Sequence, residues 1–392
     1  MKNWKRIALG SDGLLLAIQP GFACGQKEVA NGVPHLRMNN VTKGGQLDMS
    51  LIRRIPRSIA EKQNRFLAHG DVIFTNTNST ALVGKSCVFT GWNERCAFSN
   101  HLTLLRPNPD LLLSEWLFYS LHELWFRGFF AANCTEFVGQ SAFTKNELLA
   151  VQISVPPLVE QRRIVDRVDA LTGRSQLLHE LNASLVNDLT RLLRAEYKRI
   201  TEDAPTKQFS DVAKLVRRWV KTTPDQNYPE TGIRSFGKGT FHKPALTGEQ
   251  LGTKRICRIK AGDLVFMNVF AWEGAIAVAQ PEDDGRVASH RFMMHEVVPD
   301  QATAEYLCYY FLTERGLEQI RGASPGSAGR NRTLGITKLE KIPVPVPPIE
   351  DQRRFAKLKK LHFRLQRLHQ EAEVELASFT PALLAKAFRG EL

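Results

Sequence analysis

The most constraining feature of the sequence is a nine-residue segment that occurs twice. Val155–Arg163 and Val346–Arg354 both read Val-Pro-Pro, three further residues and Gln-Arg-Arg, and they lie 191 positions apart in a chain of 392 residues. In each copy the second proline can occupy the first turn of a helix, where its missing N–H costs no hydrogen bond. The acidic residues that follow suit the positive end of the helix dipole. The chain is therefore predicted to run globule, helix, globule, helix.

Short landmarks inside the two predicted globules repeat at nearly the same offset. The pairs are Gly70–Phe74 with Gly262–Phe266, Ser99–His101 with Ser289–Arg291, and Thr144–Lys145 with Thr337–Lys338. In the first globule, β-rich runs predict strands at Asp71–Thr75, Gly84–Phe89 and His101–Leu105. Ser114 is predicted to cap a helix, and Thr144–Glu147 has the pattern of a capping box. The landmarks indicate a duplicated globule, whereas the loops between them do not match.

Both long helices carry apolar residues at heptad spacing. The first shows Ile164, Leu171, Leu178, Leu185 and Leu192, with Val168, Ser175, Asn182 and Leu189 in a companion seam; the second shows Leu358, Leu365, Ala372 and Phe379. This spacing is typical of a coiled coil. Each helix is the natural partner of the other, and we predict that they pack antiparallel. Thr380–Pro381 is expected to end the second helix and cap a last short one.

The predicted fold class is α+β: two duplicated α/β domains joined by two long helices that form an antiparallel coiled coil with pseudo-twofold symmetry. The predicted boundaries are 1–156 for the first domain, 157–204 for the central helix, 205–347 for the second domain and 348–392 for the C-terminal helix.

Charge and composition narrow the class of partner and the compartment. A net charge of +13 and a pI near 9.6 favour a polyanionic partner, and a mean hydropathy of −0.25 is typical of a soluble protein. The six cysteines form no Cys-x-x-Cys pair, which favours reduced thiols and a cytoplasmic protein. Asp12 and Gly13 interrupt the only signal-like start, and no apolar run reaches the roughly 18 residues of a membrane span.

At this point the sequence resembles the specificity (S) subunits of Type I restriction–modification enzymes. The resemblance covers essentially the whole chain. It rests on the duplicated Pro-Pro-x-x-x-Gln-Arg-Arg entry to each helix, the Gly-Asp-[Val/Leu]-[Ile/Val]-Phe strand in each globule, and the terminal Ala387–Leu392. The order and duplication of these motifs make the resemblance specific.

The resemblance implies that 1–156 and 205–347 are target recognition domains, each reading one half of a split double-stranded DNA site. It implies that the helices act as a ruler and dock two methyltransferase (M) subunits, which restriction (R) subunits join in the full complex. It implies a non-catalytic chain without a cofactor of its own, because S-adenosylmethionine, ATP and Mg²⁺ are expected on the partner subunits. No membrane partner is implied.

Candidate DNA-binding residues in the first globule are small polar or basic side chains near the strand ends. Basic side chains suit phosphates, and asparagine suits bidentate contact with adenine. The Asn/Ser/Thr run at 75–80 is also typical of ordinary turns, and histidines at strand starts are often structural. The candidates are Lys43, Arg53, Arg54, Arg57, Asn76, Asn78, Thr80, Lys85 and His101.

In the second globule the candidates fall in a segment that mixes basic, glycine and aromatic residues, in the counterpart of the asparagine run, and in a basic loop. A solvated loop is the alternative for the basic segments, and a core position is the alternative for the tryptophan. The candidates are Arg234, Lys238, His242, Lys243, Asn268, Trp272, His290, Arg291, Arg330 and Arg332. The arginine pairs of the repeated segment are alike in both copies, so structural ion pairing or subunit docking is a better interpretation for them.

No catalytic motif survives inspection. Gly84–Ser86 imitates the end of a P-loop, but Ser79 stands where the loop needs a glycine. Neither an amino-methyltransferase motif nor a metalloprotease or serine-hydrolase motif occurs. Two alternatives remain open at this stage: a specificity subunit whose partner fuses methyltransferase and nuclease, and a basic coiled-coil scaffold. Steep salt dependence of duplex binding would distinguish a DNA reader from a scaffold.

Overall fold

The computed structural model describes residues 4–326 and 332–392. The chain divides into two compact units: Met1–Leu181 with Glu371–Leu392, and Asn182–Gln370. Each unit contains one globule and parts of both long helices. The fold class predicted from the sequence is confirmed in this sense: two α+β globules built on one plan are joined by two long helices.

The first globule is made of short strands and four helices, and the first long helix follows it. Its strands are β1 Arg6–Ala8, β2 Leu15–Pro20, β3 Val33–Leu36, β4 Arg53–Ile55, β5 Val72–Thr75, β6 Thr77–Asn78, β7 Ser86–Val88, β8 Ala97–Phe98, β9 Leu102–Pro107, β10 Thr135–Phe137, β11 Gln140–Ala142 and β12 Gln152–Ser154. Its helices are α1 Arg57–Gln63, α2 Ser114–Phe126, α3 Phe129–Asn133 and α4 Lys145–Ala150, and the long helix is α5 Leu158–Thr201.

The second globule has the same kinds of elements. Its strands are β13 Thr206–Gln208, β14 Ala213–Val216, β15 Trp219–Val220, β16 Asn227–Ile233, β17 Thr240–Thr247, β18 Ile256–Arg258, β19 Leu264–Met267, β20 Ile276–Val278, β21 Val287–Ser289, β22 Phe292–Val297 and β23 Pro343–Pro345. Its helices are α6 Phe209–Val212, α7 Gly248–Leu251, α8 Ala304–Leu312, α9 Glu314–Gly322 and α10 Ile336–Glu340, with short 3-10 helices at Ala271–Glu273 and Pro281–Asp283. The second long helix is α11 Ile349–Phe388.

The four-stranded sheets and the two-stranded ladders of the two globules correspond strand by strand, and their second sheets share a common part. A four-stranded antiparallel sheet has the order β2-β9-β5-β7 in one globule and β14-β22-β19-β20 in the other. A second sheet contains one parallel pair in each globule, β3 with β8 and β16 with β21. A two-stranded ladder, β1-β12 or β13-β23, ties the start of each globule to the strand before the Pro-Pro segment. The duplication predicted from the landmarks is therefore a duplication of topology.

The Gly-Asp start of each central strand has a local physical reason. Gly70 and Gly262 have φ of 86° and 87°, a left-handed conformation that glycine adopts without a Cβ clash. The next residue, Asp71 or Asp263, is buried and accepts two hydrogen bonds from an arginine guanidinium. Burying a carboxylate is costly unless it is paired, so the motif encodes both the turn and a paired charge.

The glutamine of each repeated segment fastens its long helix to the globule. The side-chain amide of Gln161 donates to the carbonyls of Leu111 (2.9 Å) and Pro156 (2.8 Å), and its oxygen accepts from the N–H of Leu113 (2.9 Å). Gln161 is fully buried, so each of these bonds satisfies a group that water does not reach.

Gln352 makes the same three bonds in the second unit. Its amide donates to the carbonyls of Gln301 (3.1 Å) and Pro347 (2.8 Å), and its oxygen accepts from the N–H of Thr303 (3.0 Å). Gln352 is also fully buried. The repeated glutamine therefore has a structural role in both copies.

The two long helices run antiparallel within each unit. In the first unit His179 Nδ1 lies 2.9 Å from Glu373 Oε1 and Arg163 donates to the carbonyl of Leu392, so positions rise on one helix as they fall on the other. In the second unit Thr190 Oγ1 lies 2.9 Å from His362 Nε2 and, farther along α5, Arg199 Nη2 lies 3.6 Å from Asp351 Oδ1. The predicted antiparallel pairing is confirmed within each unit.

The leucine stripe of the predicted helix seam is wrong beyond the second heptad, whereas the companion positions Ser175, Asn182 and Leu189 are partly buried. Ile164 and Val168 are buried as predicted, but Leu178, Leu185 and Leu192 are about half exposed. The buried face of α5 shifts instead to Leu193 and Ile200. An α-helix with 3.6 residues per turn drifts about 20° per heptad from a strict seven-residue repeat, so the leucine stripe rotates out of the seam.

Two helix ends also differ from the predictions. Ser114 lies inside α2, with Leu113 at the N-cap position, and its hydroxyl donates to the carbonyl of Gly70 at 2.6 Å instead of capping. Pro381 lies within a continuous α11, so Thr380–Pro381 does not end that helix. The capping box at Thr144 and Glu147 is confirmed.

Two further features concern the cysteines and the apolar character of the helices. All six cysteines carry free thiols. Within residues 4–326 and 332–392, no helix combines the length and apolar character needed to cross a membrane.

Candidate nucleic-acid interface

In the first globule, the predicted polar candidates gather where β5 ends. The main-chain N–H of Asn76 donates to the carbonyl of His101 (3.1 Å), and its side-chain amide donates to the carbonyl of Asn100 (3.1 Å). The carbonyl of Asn76 accepts from the N–H of Phe143 (2.8 Å). Asn76 and His101, which are far apart in the sequence, are therefore neighbours, and both are partly buried.

The residues after Asn76 form a strand and not the predicted loop. Asn78 pairs with Ser141 where β6 joins a three-stranded sheet of order β10-β11-β6. The hydroxyl of Thr80 lies 2.8 Å from that of Ser141 and 3.2 Å from a carboxylate oxygen of Glu136. Asn78 and Thr80 are thus held against the β10–β11 hairpin.

Sequence reasoning missed the tip of that hairpin. Phe137 is 63% exposed, Val138 is fully exposed, and Gly139 turns the chain with φ 80°. The available signal was Phe-Val-Gly-Gln, an aromatic and a β-branched residue directly before a turn glycine. The first globule therefore presents an apolar tip beside its polar candidates.

The second globule places its candidates at the equivalent point, the end of β19. The main-chain N–H of Asn268 donates to the carbonyl of Arg291 (3.0 Å), and its carbonyl accepts from the N–H of Leu334 (2.9 Å). Trp272 is half-buried and donates its indole N–H to the carbonyl of Val269 (3.0 Å). The guanidinium of Arg332 lies 5.4 Å from the centre of the Trp272 ring, which is within cation–π range.

The loop between β16 and β17 joins this cluster. The main-chain N–H of Phe236 donates to the carbonyl of Glu273 (2.8 Å), and that of Gly237 donates to the carbonyl of Gly274 (2.9 Å). The exposed Lys238 follows directly. The structure thus brings the predicted basic segment next to the 3-10 helix that contains Trp272.

The other predicted residues of this loop make local contacts. Arg234 and Lys243 are exposed, and their cationic groups lie 4.9 Å and 6.0 Å from the centre of the Phe241 ring. His242 Nε2 lies 3.1 Å from Oδ1 of the buried Asp283. His242 is therefore tied to the 3-10 helix Pro281–Asp283, whereas Arg234 and Lys243 present charge to solvent.

An arginine–tryptophan cluster near His290 was also missed. Trp219 is 46% exposed, and the guanidinium of Arg255 lies 4.0 Å from the centre of its ring. Arg217 donates to the carbonyls of the exposed His290 (3.0 Å) and of Phe292 (2.6 Å). The sequence signal was the run Arg217–Trp219, in which two arginines precede an aromatic residue.

The predicted basic stretch of the first globule lies on and beside a different sheet, β4-β3-β8: Arg53 and Arg54 are on β4, Arg57 begins α1, and Lys43 lies between β3 and β4. Lys43 and Arg57 are exposed. Arg53 donates to the carbonyl of Gln26. Arg54 donates to Glu94 Oε2 at 2.9 Å, and this ion pair lowers the pKa of the Glu94 carboxyl. Lys43 and Arg57 are therefore the members of this stretch with the most accessible charge.

Two predicted residues need separate mention. Lys85 is only 5% exposed, and its ammonium donates to the carbonyls of Met38 and Val41. Burial lowers the pKa of this lysine. An ammonium already held by two buried carbonyls is not available to phosphate, so we correct the prediction and assign Lys85 a structural role. Arg330 lies outside the described residues.

The sequence of this chain is similar to sequences of known proteins. A family model described as "Type I restriction modification DNA specificity domain" matches residues 23–187. The chain is 22% identical over 374 residues to a putative Type I restriction enzyme MjaX specificity subunit of Methanocaldococcus jannaschii, with 88% of this chain and 83% of that protein covered. It is 20% identical over 391 residues to the EcoKI specificity subunit of Escherichia coli K12, with 92% and 82% covered.

A solved structure, the HsdS subunit from Thermoanaerobacter tengcongensis, has a similar fold. Its TM-score with this chain is 0.58 at 20% identity, and the match covers 100% of this chain and 98% of the other. The sequence and the fold of this chain are thus similar to those of Type I specificity subunits. The resemblance seen in the sequence motifs is thereby confirmed.

The arginines of the repeated segment form local ion pairs. Arg163 Nε lies 2.8 Å from Glu160 Oε2, and Arg353 Nη1 lies 2.6 Å from Glu350 Oε1. Structural ion pairing, one of the two interpretations offered from the sequence, is thus found for Arg163 and Arg353, and subunit docking stays a prediction. Neither arginine belongs to the clusters at the ends of β5 and β19.

Both long helices expose apolar side chains. On α5 these are Leu177, Leu178, Leu181, Leu185 and Leu192, which fall on one face of the helix. On α11 they are Leu361 and Leu368 on one side and Phe363 and Val374 on the opposite side. Exposed apolar residues in such a row indicate a surface for another protein. We call the α5 face and the side of α11 that carries Leu361 and Leu368 the helix docking faces.

Proposed function

We propose that this chain reads a bipartite double-stranded DNA target, with one half-site for each globule and a spacer set by the two long helices. The single observation that carries the proposal is the pair Asn76 and Asn268. Each follows the central strand of its globule and is held by the same main-chain bonds, yet each is surrounded by unlike side chains. Two globules that share one fold but carry different surface side chains suit two different half-sites.

The charge distribution supports a nucleic-acid partner. Residues 217–260 contain ten lysines and arginines but three acidic residues. Contacts to phosphates supply affinity and position, whereas side chains at base edges supply sequence preference. We assign the first role to exposed cations such as Lys43, Arg57, Lys238 and Lys243, and the second to side chains around Asn76 and Asn268.

The length of the helices supports the ruler role. α5 has 44 residues, which at 1.5 Å per residue is roughly 66 Å. DNA readers with two halves commonly place their half-sites about 34–36 Å apart, one turn of the duplex. Adding or removing whole heptads in both helices should therefore change the spacer and leave both half-sites unchanged. Footprinting of such variants tests this; altered half-sites with an unchanged spacer would contradict it.

The chain is proposed to be non-catalytic and to work in the cytoplasm within a larger complex. The helix docking faces are suited to hold two methyltransferase subunits, which restriction subunits join. S-adenosylmethionine, ATP and Mg²⁺ would then be bound by those partners and not by this chain. Replacing Leu178 and Leu185 by serine should weaken assembly with methyltransferase subunits, measured by co-purification, because it removes apolar contact area.

Mapping DNA methylation in a host that carries the complex tests the main proposal. The expected result is a methylated motif made of two short specified parts separated by unspecified bases, and its loss when this chain is deleted. Binding of that duplex should fall steeply with salt concentration. A continuous motif, or unchanged methylation after deletion, would contradict the proposal.

A further inference from the structure

Phe236 is an exposed aromatic residue on a strained backbone. Its φ is 62°, and its side chain is 73% exposed. Among the non-glycine residues of the described chain, Asn64 is the only other one with positive φ. Asparagine tolerates that conformation, but for a bulky residue it is costly. Because the ring is not buried, packing of the free protein does not offset this cost.

The surrounding structure fixes the strained conformation. The main-chain bonds to Glu273 and Gly274 hold Phe236 and Gly237 on the 3-10 helix, and the N–H of Arg234 donates to the carbonyl of Gly239 (2.9 Å) across the turn. Gly237 and Gly239 also have positive φ, 66° and 78°. Strain held in place by several bonds is characteristic of functional sites. The tip is therefore built to aim the ring outward.

Cations lie near this exposed ring. Lys238 Nζ lies 6.0 Å from its centre, Arg234 lies in the same loop and Lys243 lies on β17. The neighbouring cluster contains Asn268 and Arg332. An exposed apolar ring beside positive charge fits a partner with an anionic exterior and an apolar interior, which describes the phosphates and stacked bases of duplex DNA.

We propose that Phe236 is a wedge that inserts into the base stack of the half-site read by the second globule. This inference rests on the proposed function and deepens it. DNA-bending proteins use such wedges, in which an apolar side chain partly unstacks one base step. The distortion depends on the sequence being deformed, so the wedge would add specificity beyond direct hydrogen bonds to bases.

The first globule offers a parallel from an unrelated hairpin. Its tip at Phe137 and Val138 lies on β10–β11, whereas Phe236 lies on the β16–β17 loop, yet each tip adjoins the segment after a central strand. Two different hairpins thus bring an exposed apolar residue near the segment that follows the central strand of each globule. Packing within either globule does not require this coincidence.

The test uses the full chain in the complex purified from its host and a duplex that carries the motif found by methylation mapping. In separate duplexes, 2-aminopurine replaces each adenine of the two half-sites, because its fluorescence rises when a base is unstacked. Wild-type protein should raise the fluorescence at one step of the second half-site. Phe236→Gly should abolish that rise and weaken binding about tenfold or more.

Three variants separate the wedge from other effects. Phe236→Gly relieves the positive φ, so its melting temperature should equal or exceed that of the wild type. Lys238→Ala should lower affinity and the salt dependence of binding while the fluorescence rise remains. Leu16→Ala, which removes another exposed apolar side chain, should change neither quantity.

Each alternative outcome is distinct. Wild-type affinity and an unchanged fluorescence rise in Phe236→Gly would overturn the wedge, as would a lowered melting temperature that accounts for the lost binding. If the wild type produces no rise, and replacing thymine by uracil weakens binding as much as Phe236→Gly, the ring contacts a thymine methyl group and the wedge is again overturned. If the wild type prefers no duplex, the proposed function itself fails.

Discussion

The two globules share their interior frame and differ at their tips. Gln161 and Gln352 make the same three hydrogen bonds, and Asp71 and Asp263 occupy the same buried position at the start of the central strand. The three-stranded β10-β11-β6 sheet has no counterpart among the described residues of the second globule, which instead extends its second sheet with β15 and β18. Duplicated positions thus include both those that attach a globule to its helix and those that begin its central strand.

The comparison also shows which parts of the frame can be exchanged. The arginine that pairs with the buried aspartate is Arg106, from β9, in the first globule and Arg218, which precedes β15, in the second. The same charge pair is therefore reached from two directions. What the frame requires is a buried carboxylate with a guanidinium partner, and not a particular strand to supply it.

The largest expected effect is the loss of stability when a core residue of the first globule is replaced, compared with a core residue of the second. Trp116 is buried and donates its indole N–H to the carbonyl of Ser154 (2.8 Å), and in the second globule the hydroxyl of Tyr306 donates to the carbonyl of Pro345 (2.9 Å). Trp116→Ala should lower the free energy of unfolding by about 3–5 kcal/mol. Tyr306→Phe, which removes one hydrogen bond and keeps the ring, should cost about 1–3 kcal/mol.

Urea unfolding followed by hydrogen exchange checks both values. Loss of protection in Trp116→Ala should be greatest in the first unit. Equal losses in both units would break the interpretation that each globule has a core of its own.

The second prediction concerns Gln161 and Gln352, which attach each long helix to its globule. Gln161→Ala and Gln352→Ala each remove three hydrogen bonds and leave buried main-chain groups without partners, so each should cost roughly 2–4 kcal/mol. The two costs should agree within about 1 kcal/mol, because the bonding is the same in both units. Chemical denaturation measures them, with Gln176→Ala on the exposed face of α5 as the control. A large effect at one site and none at the other would contradict the equivalence.

The third prediction concerns acid stability. His295 is fully buried against Phe209 and Phe266, and burial lowers its pKa from 6.5 to about 4. The unfolded chain therefore takes up a proton at higher pH than the folded chain does. The contribution of the neutral His295 to the free energy of unfolding is therefore fully present above pH 6.5. As the pH falls to about 4, proton uptake by the unfolded chain should lower that free energy by roughly 1–3 kcal/mol.

The pairing register gives the matched substitution, because Leu264 pairs with His295 where Val72 pairs with Leu105. His295→Leu should therefore flatten the pH dependence of the melting temperature of the second unit between pH 6.5 and 4. The exposed His69→Leu is the control. An unchanged pH profile in His295→Leu would show that acid sensitivity arises elsewhere.

The smallest expected effect concerns the first tip. Val138→Ser replaces a fully exposed apolar side chain by a polar one of similar size. It should reduce affinity for the duplex by a few-fold, about 1 kcal/mol. Discrimination between bases should weaken in the first half-site only. Competition binding with duplexes altered in one half-site at a time measures this. An equal effect on both half-sites would break the assignment of one tip to one half-site.

Sequence alone predicted the parts of the fold that local chemistry determines. The Pro-Pro entries to α5 and α11, the central strands β5 and β19, and the capping box at Thr144 each depend on residues a few positions apart. These features are found in the structure where the sequence places them.

Features that depend on distant partners were not predicted. The leucine repeat of α5 contained two candidate stripes, and only packing decides which of them faces the other helix. Lys85 looked like an exposed cation because nothing nearby in the sequence reveals that the carbonyls of Met38 and Val41 surround it. The tips at Val138 and Phe236 could be recognised as turns, but not as elements that dock beside Asn76 and Asn268.

The central claim is that each globule reads its own half-site on a common frame. The most direct measurement maps DNA methylation in cells whose chain carries the first globule twice, with residues 206–346 replaced by residues 6–155. The junctions are equivalent because Val155 and Val346 each donate a main-chain hydrogen bond to the residue before the replaced segment, Lys5 or Pro205. The account predicts a motif in which the first half-site occurs twice and the second is absent. An unchanged asymmetric motif would contradict it.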